Sequence, residues 1–207
     1  MRPLRALIAI AMLALTACSV LPKAETPNIY LLPATPLPAS TASPTNLALR
    51  VAAPSTPRTL EGTRVAVVPE TNVITAYKGS RWSDNVPSLL RDRILDAFRD
   101  DGRIARLSTD EGNLHADLEL GGDLRAFQSE YRDGAPVVVI RYDARLVDAR
   151  TEYILATRTF TITQPASGKE IPQVIIAFGQ ASDALSAQMV AWTIEQAASR
   201  QDPSRTR

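Results

Sequence analysis

Alternation of apolar with charged residues is the strongest pattern in this chain. Ala116, Leu118, Leu120, Leu124 and Ala126 occupy even positions, with Asp117, Glu119, Asp123 and Arg125 between them, as in a strand that buries one face. Gly121-Gly122 marks a bend or bulge within it. The next run repeats the pattern, with Val138, Ile140, Tyr142, Ala144 and Leu146 set against Arg141, Asp143 and Arg145. Residues 147–151 then form a turn, and Tyr153 to Thr163 forms a third strand with Ile154, Ala156, Phe160 and Ile162 inward. Arg158 breaks that inward face: either its guanidinium reaches water, or a bulge shifts the register. Shorter β-type runs come earlier, at Leu47 to Val51, Arg64 to Pro69, Asn72 to Thr75 and Ile104 to Leu107.

Two segments carry the helical period instead. Val86, Leu90, Ile94, Ala97 and Phe98 recur three or four residues apart, after Ser83 or Asp84 as the cap, and Gly102 closes the helix as a left-handed cap. Val174, Phe178, Ala181, Leu185, Met189 and Trp192 form the apolar stripe of a second helix that starts near Pro172. The pattern predicts an α/β fold: a single layer-type domain over residues 47–197, with a mixed or mainly antiparallel sheet and two long helices on one face. The other face is left to solvent or a partner. Residues 198–207 read as a disordered polar tail.

The amino-terminal region has a different character. Arg2 and Arg5 precede an apolar run from Leu7 to Leu15, followed by Leu15-Thr16-Ala17-Cys18. Residues 1–17 thus read as a lipoprotein signal peptide, too short to span a bilayer, which takes roughly 20 residues. Cys18 is the one cysteine of the chain and is the expected lipidation site, carrying S-diacylglycerol and an N-acyl chain such as palmitate. No other cofactor is expected. Ser19 in place of an aspartate favours the periplasmic face of the outer membrane over the inner membrane. Residues 18–46 form a Pro-rich tether, interrupted at residues 29–32 by Ile29-Tyr30-Leu31-Leu32, which is apolar enough to join the domain edge as a short strand and leave a free tether of only about ten residues.

Charge and chemistry narrow the function mainly by exclusion. With 23 Lys and Arg against 22 Asp and Glu, the chain has no overall basic excess that would favour nucleic acid or an anionic membrane surface. It has one histidine, His115, which reads as an ordinary strand-end residue, and no Gly-x-Ser-x-Gly elbow or Gly-rich phosphate loop. Neither catalysis nor a metal site is expected. The segment Tyr77-Lys-Gly-Ser-Arg-Trp-Ser-Asp-Asn-Val-Pro87 combines Tyr77, Arg81 and Trp82 in the manner of a loop interaction site, joined by Tyr30 as a further candidate. Alternatively, Trp82 staples the helix onto the sheet and Arg81 pairs locally. Phe98, Phe178 and Trp192 are candidate lining for a lipid pocket between helices and sheet, or plain core.

The chain resembles the ABC-type transport auxiliary lipoproteins of Gram-negative bacteria, which include the small lipoprotein of the paraquat-inducible system. The resemblance rests on the Cys18 lipobox, Tyr30-Leu31-Leu32, Tyr77 with Arg81-Trp82-Ser83-Asp84 and Pro87, Leu124 to Phe127, the turn from Leu146 to Thr151, Thr159-Phe160 and Ala177-Phe178. Ser83 stands where alanine is more usual. The resemblance implies a non-enzymatic component of a lipid transporter of the mammalian-cell-entry (MCE) type, whose partner is a periplasmic substrate-binding protein with MCE domains. A homo-oligomer around the conduit is a further possibility that it raises.

Overall fold

The alternating runs become the longest strands of one eight-stranded sheet. In the computed structural model, which describes residues 26–112 and 114–201, the strands are β1 (Asn28–Tyr30), β2 (Thr45–Val51), β3 (Arg64–Glu70), β4 (Val73–Trp82), β5 (Ile104–Thr109), β6 (Leu118–Arg132), β7 (Ala135–Asp148) and β8 (Ile154–Pro165). The helices are α1 (Val86–Asp101) and α2 (Ile171–Gln201). The signal peptide, Cys18 and residues 202–207 lie outside the described residues. β6, β7 and β8 form an antiparallel meander. The other flank of β6 is shared: β2 lies parallel to its first residues, with Leu49 opposite Leu118, and β3 lies parallel to its last, with Val67 opposite Ser129. Ser55 bridges to Asp123 between them. The sheet therefore forks along β6. One branch adds β5 beyond β2; the other adds β4 and then β1 beyond β3.

The inward sets of β6 and β7 match the sequence pattern up to Leu124. There the register departs from expectation. Pairing is continuous through Gly121 and Gly122, and the bulge lies instead between Leu124 and Ala126. It turns Ala126 to the face of Arg141 and brings Phe127 inward opposite Ile140. Ala126 and Val139 are nonetheless buried, so the face away from the helices is not wholly solvated. Gly122, with φ +151°, meets a different constraint, because a Cβ there would overlap the Asp143 carbonyl and the Tyr142 ring. On β8 the register holds at Arg158, opposite Ala144. Its guanidinium stays exposed on the inward side and stacks 4.8 Å from the Phe160 ring centroid. Ile154 is exposed rather than inward, because the register slips between Leu146 and Val147.

Both helices pack on one face of the sheet around a shared core. Neither Ser83 nor Asp84 caps α1. The Ser83 N–H donates to the Tyr30 carbonyl and so continues the sheet, which leaves Asn85 to accept from the Ser88 N–H at 3.0 Å. Gly102 closes the helix at φ +77°, as its position predicts. α2 is longer than its apolar stripe suggested, with 31 residues, and residues 198–201 are helical rather than tail. Arg200 reaches Asp148 at the end of β7, giving the last helical turn a tertiary partner.

The larger correction concerns the tether. Residues 29–32 do join the edge, where β1 runs parallel to β4. However, the Pro-rich stretch that follows is not free. Pro33 crosses α2 at Gly179, where a Cβ would collide with its backbone. Thr35 N–H donates to Asp183 at 3.0 Å, Leu37 N–H to Asp100 at 3.0 Å, and Ser40 N–H to the Asp101 carbonyl at 2.9 Å. Arg93 of α1, 4% exposed, pairs with Asp183 of α2 at 2.6 Å and donates to the Thr35 carbonyl at 2.7 Å. One guanidinium thereby ties two helices and the strap together. Arg93→Ala leaves Asp183 without its cation and the Thr35 carbonyl without its donor and is expected to cost about 3 kcal/mol. Limited proteolysis should then cut within residues 33–40 of the variant and spare them in the parent chain.

Candidate functional site

The segment from Tyr77 to Trp82 lies in a strand, not in the loop that its composition suggested. β4 continues to Trp82 because β1 covers its outer edge, with Tyr30 opposite Trp82. Trp82 is 2% exposed. Its ring meets Phe178 edge-on at 5.2 Å and Phe127 at 6.0 Å, and Phe127 and Phe178 are 4.9 Å apart. This buried trio staples β4 and β6 to α2, so the stapling alternative describes Trp82 and the contact-residue alternative does not. The indole Nε1 has no hydrogen-bond partner among the described residues. Tyr77 is half-buried, and its hydroxyl lies 3.1 Å from Ser129 Oγ. Burial pushes its phenol up to about 12. Tyr30 packs partly against the core and works mainly through its backbone.

The proposed pocket lining is core as well. Phe98 and Phe178 are fully buried, and Trp192 packs edge-on against Phe160 at 5.8 Å. His115 lines a surface cavity of about 430 Å³ with Asp117, Asp148, Arg150 and Arg200. There the Asp148 carboxyl is held below the usual range by the Thr151 and Arg150 N–H groups and by Arg200, an arrangement that fixes the turn and the end of α2. Among the described residues no cluster of three His, Cys, Asp or Glu side chains could hold a metal ion.

Arg81 is the member of the motif that reaches solvent. It belongs to a larger cavity, about 480 Å³, along β3 and β4. Gly79, at φ +65°, sits where the pairing slips by several residues between the Arg64–Arg81 and Ala66–Ala76 pairs. The bulge opens a recess lined by Arg64, Lys78 and Arg81 together with Pro27, Thr59 and Ser80, and among the described residues no carboxylate lines it. Arg81 donates to Thr63 Oγ1 at 3.3 Å. Arg64 and Lys78 escape a reading of the sequence, since only strand register sets Arg64 directly opposite Arg81. The glycine within an otherwise β-type run is the local hint of a bulge. Trp82→Ala is expected to cost about 4 kcal/mol, whereas Arg81→Ala changes stability by less than about 0.5 kcal/mol. Denaturant titration of the two variants checks this, and equal losses would mean that Arg81 is structural.

Comparison with known proteins gives this geometry a family. The model of the ABC-type transport auxiliary lipoprotein component matches residues 30–190. A crystal structure of a DUF330 protein from Xanthomonas campestris is 28% identical, covers 84% of this chain and 98% of its own, and superposes with a TM-score of 0.77. An uncharacterised protein of known structure, 18% identical, shares the fold with a TM-score of 0.65 over 82% of this chain and 99% of its own. A protein of Bradyrhizobium diazoefficiens is 29% identical over 114 residues, or 55% of this chain, and the match spans only 30% of that protein's length. Because the family match runs from Tyr30, beside the strap, into α2 and takes in both branches of the sheet, the chain belongs to the ABC-type transport auxiliary lipoprotein family.

Proposed function

We propose that this chain is a lipid-anchored docking protein of an MCE-type ABC transport system for lipids or other hydrophobic substrates. In this reading, acylated Cys18 holds it on the periplasmic face of the outer membrane. The protein has no enzymatic role of its own; it fixes the transport conduit, an MCE-domain substrate-binding protein, at that membrane, alone or as a homo-oligomer. The observation that carries the reading is the way the chain after Cys18 enters the fold. Pairing with β4 begins at Asn28 and the strap runs on over both helices, so the folded body stands within about ten residues of its anchor. A protein that acts by where it is held needs such a short, load-tight connection. Membership of a lipoprotein family associated with ABC transport supports the same role. The alternative of a lipid carrier finds no support in Phe98, Phe178 and Trp192, which are packed side chains.

Crosslinking in intact envelopes followed by capture of this chain tests the proposal. An MCE-domain protein should be recovered, together with outer-membrane rather than inner-membrane markers. Repeated capture without any MCE-domain protein would overturn the partner assignment, and co-fractionation with the inner membrane would overturn the placement.

A further inference from the structure

Antiparallel β3 and β4 set Arg64 directly opposite Arg81, and like charges so placed repel each other across a strand pair. Lys78 joins them around the same recess, and among the described residues no acidic side chain lines it. Among the described residues, the one side-chain hydrogen bond that these three cations make runs from Arg81 to the neutral Thr63 hydroxyl. The fold therefore concentrates positive charge in a recess that nothing within the described residues neutralises. Arginine pairs suit a phosphate, which accepts the planar fork of each guanidinium.

Two further observations say where that phosphate comes from. Pro27 lines the recess, and it stands nine residues after Cys18, a length of chain that spans at most about 30 Å. β1 runs parallel to β4, with Asn28 opposite Ser80, so Pro27 lies on the side of Asn28 toward the hairpin between β3 and β4. At that hairpin Val73 and Ile74 are 42% and 39% exposed, and Ile74 also lines the recess. Pro27, the apolar Ile74 and the three cations thus border one recess that runs along β4 toward the hairpin. We propose that this recess binds the phosphate of an anionic phospholipid headgroup in the membrane that holds Cys18, seating the hairpin tip in the interface and fixing the orientation of the domain on the bilayer. The proposal rests on the anchoring of Cys18 put forward above.

The test uses the full-length acylated protein in vesicles, with Ile74→Cys carrying an environment-sensitive fluorophore, since acylation leaves Cys18 unreactive. Retention in phosphatidylcholine vesicles reports the anchor by itself. Entry of the label into the interface reports the recess. Adding phosphatidylglycerol should bury the label, and Arg64→Gln with Arg81→Gln should weaken that response on the order of twentyfold, with Lys78→Gln as a milder control. High salt should have the same effect, while retention stays unchanged throughout. A label buried equally in phosphatidylcholine alone, or unaffected by losing both arginines in a folded protein, overturns the proposal. Reproduction of the response by inorganic phosphate without anionic lipid also overturns it. Failure of the parent protein to remain with any vesicle overturns the anchor instead.

Discussion

A buried indole at the end of β4 is the contact on which the other parts of this fold depend. Trp82 lies where the second branch of the forked sheet must be held against α2, and its ring fills that junction with Phe127 and Phe178. An aromatic cluster buries a large apolar area with few rotatable bonds, so it fixes relative positions at low entropic cost. Both neighbours of Trp82 in the sheet use its backbone as a reference. The Trp82 N–H donates to the Thr63 carbonyl and the following Ser83 N–H to Tyr30. The first strand of the folded body is thus registered directly on the central aromatic contact.

From that contact outward, the structure becomes a load path. The chain pairs as β1, turns over α2 at Gly179, and is clamped by the Arg93–Asp183 pair before β2 begins. A glycine at the crossing lets backbone lie on backbone. The buried ion pair adds orientation more than net stability, since its desolvation offsets much of its attraction. Force applied at the amino end therefore meets several independent hydrogen bonds on two helices. In the proposed anchoring, the strap couples the domain to acylated Cys18, where a free Pro-rich linker would isolate it.

Much of the fold was legible because strand and helix periods differ so plainly here. Leu118, Leu120 and the inward set of β7 announce a sheet with one buried face, and the stripe from Val174 to Trp192 announces its covering helix. What escaped the sequence depends on contacts distant along the chain. The bulge at Arg125 exchanges Ala126 for Phe127 on the core side, and no local signal distinguishes it from the Gly121-Gly122 pair nearby. The Pro-rich residues 33–44 look like a linker, because the groups that hold Thr35 and Leu37, namely Asp183, Asp100 and Arg93, lie on helices far along the sequence. The candidate site was half visible: composition flagged the segment from Tyr77 to Trp82, but only register could show that Trp82 points inward while Arg81 faces Arg64 across a recess.

The central claim is that this protein works by being held, through Cys18 and the strap, at a membrane beside a transport conduit. Its most direct test replaces Cys18 by Ser at native expression level in cells that lack the parent chain, with transport of the hydrophobic substrate and the melting temperature of the domain measured together. The expected result is lost transport with an unchanged melting temperature. Full transport by the unacylated protein would contradict the claim.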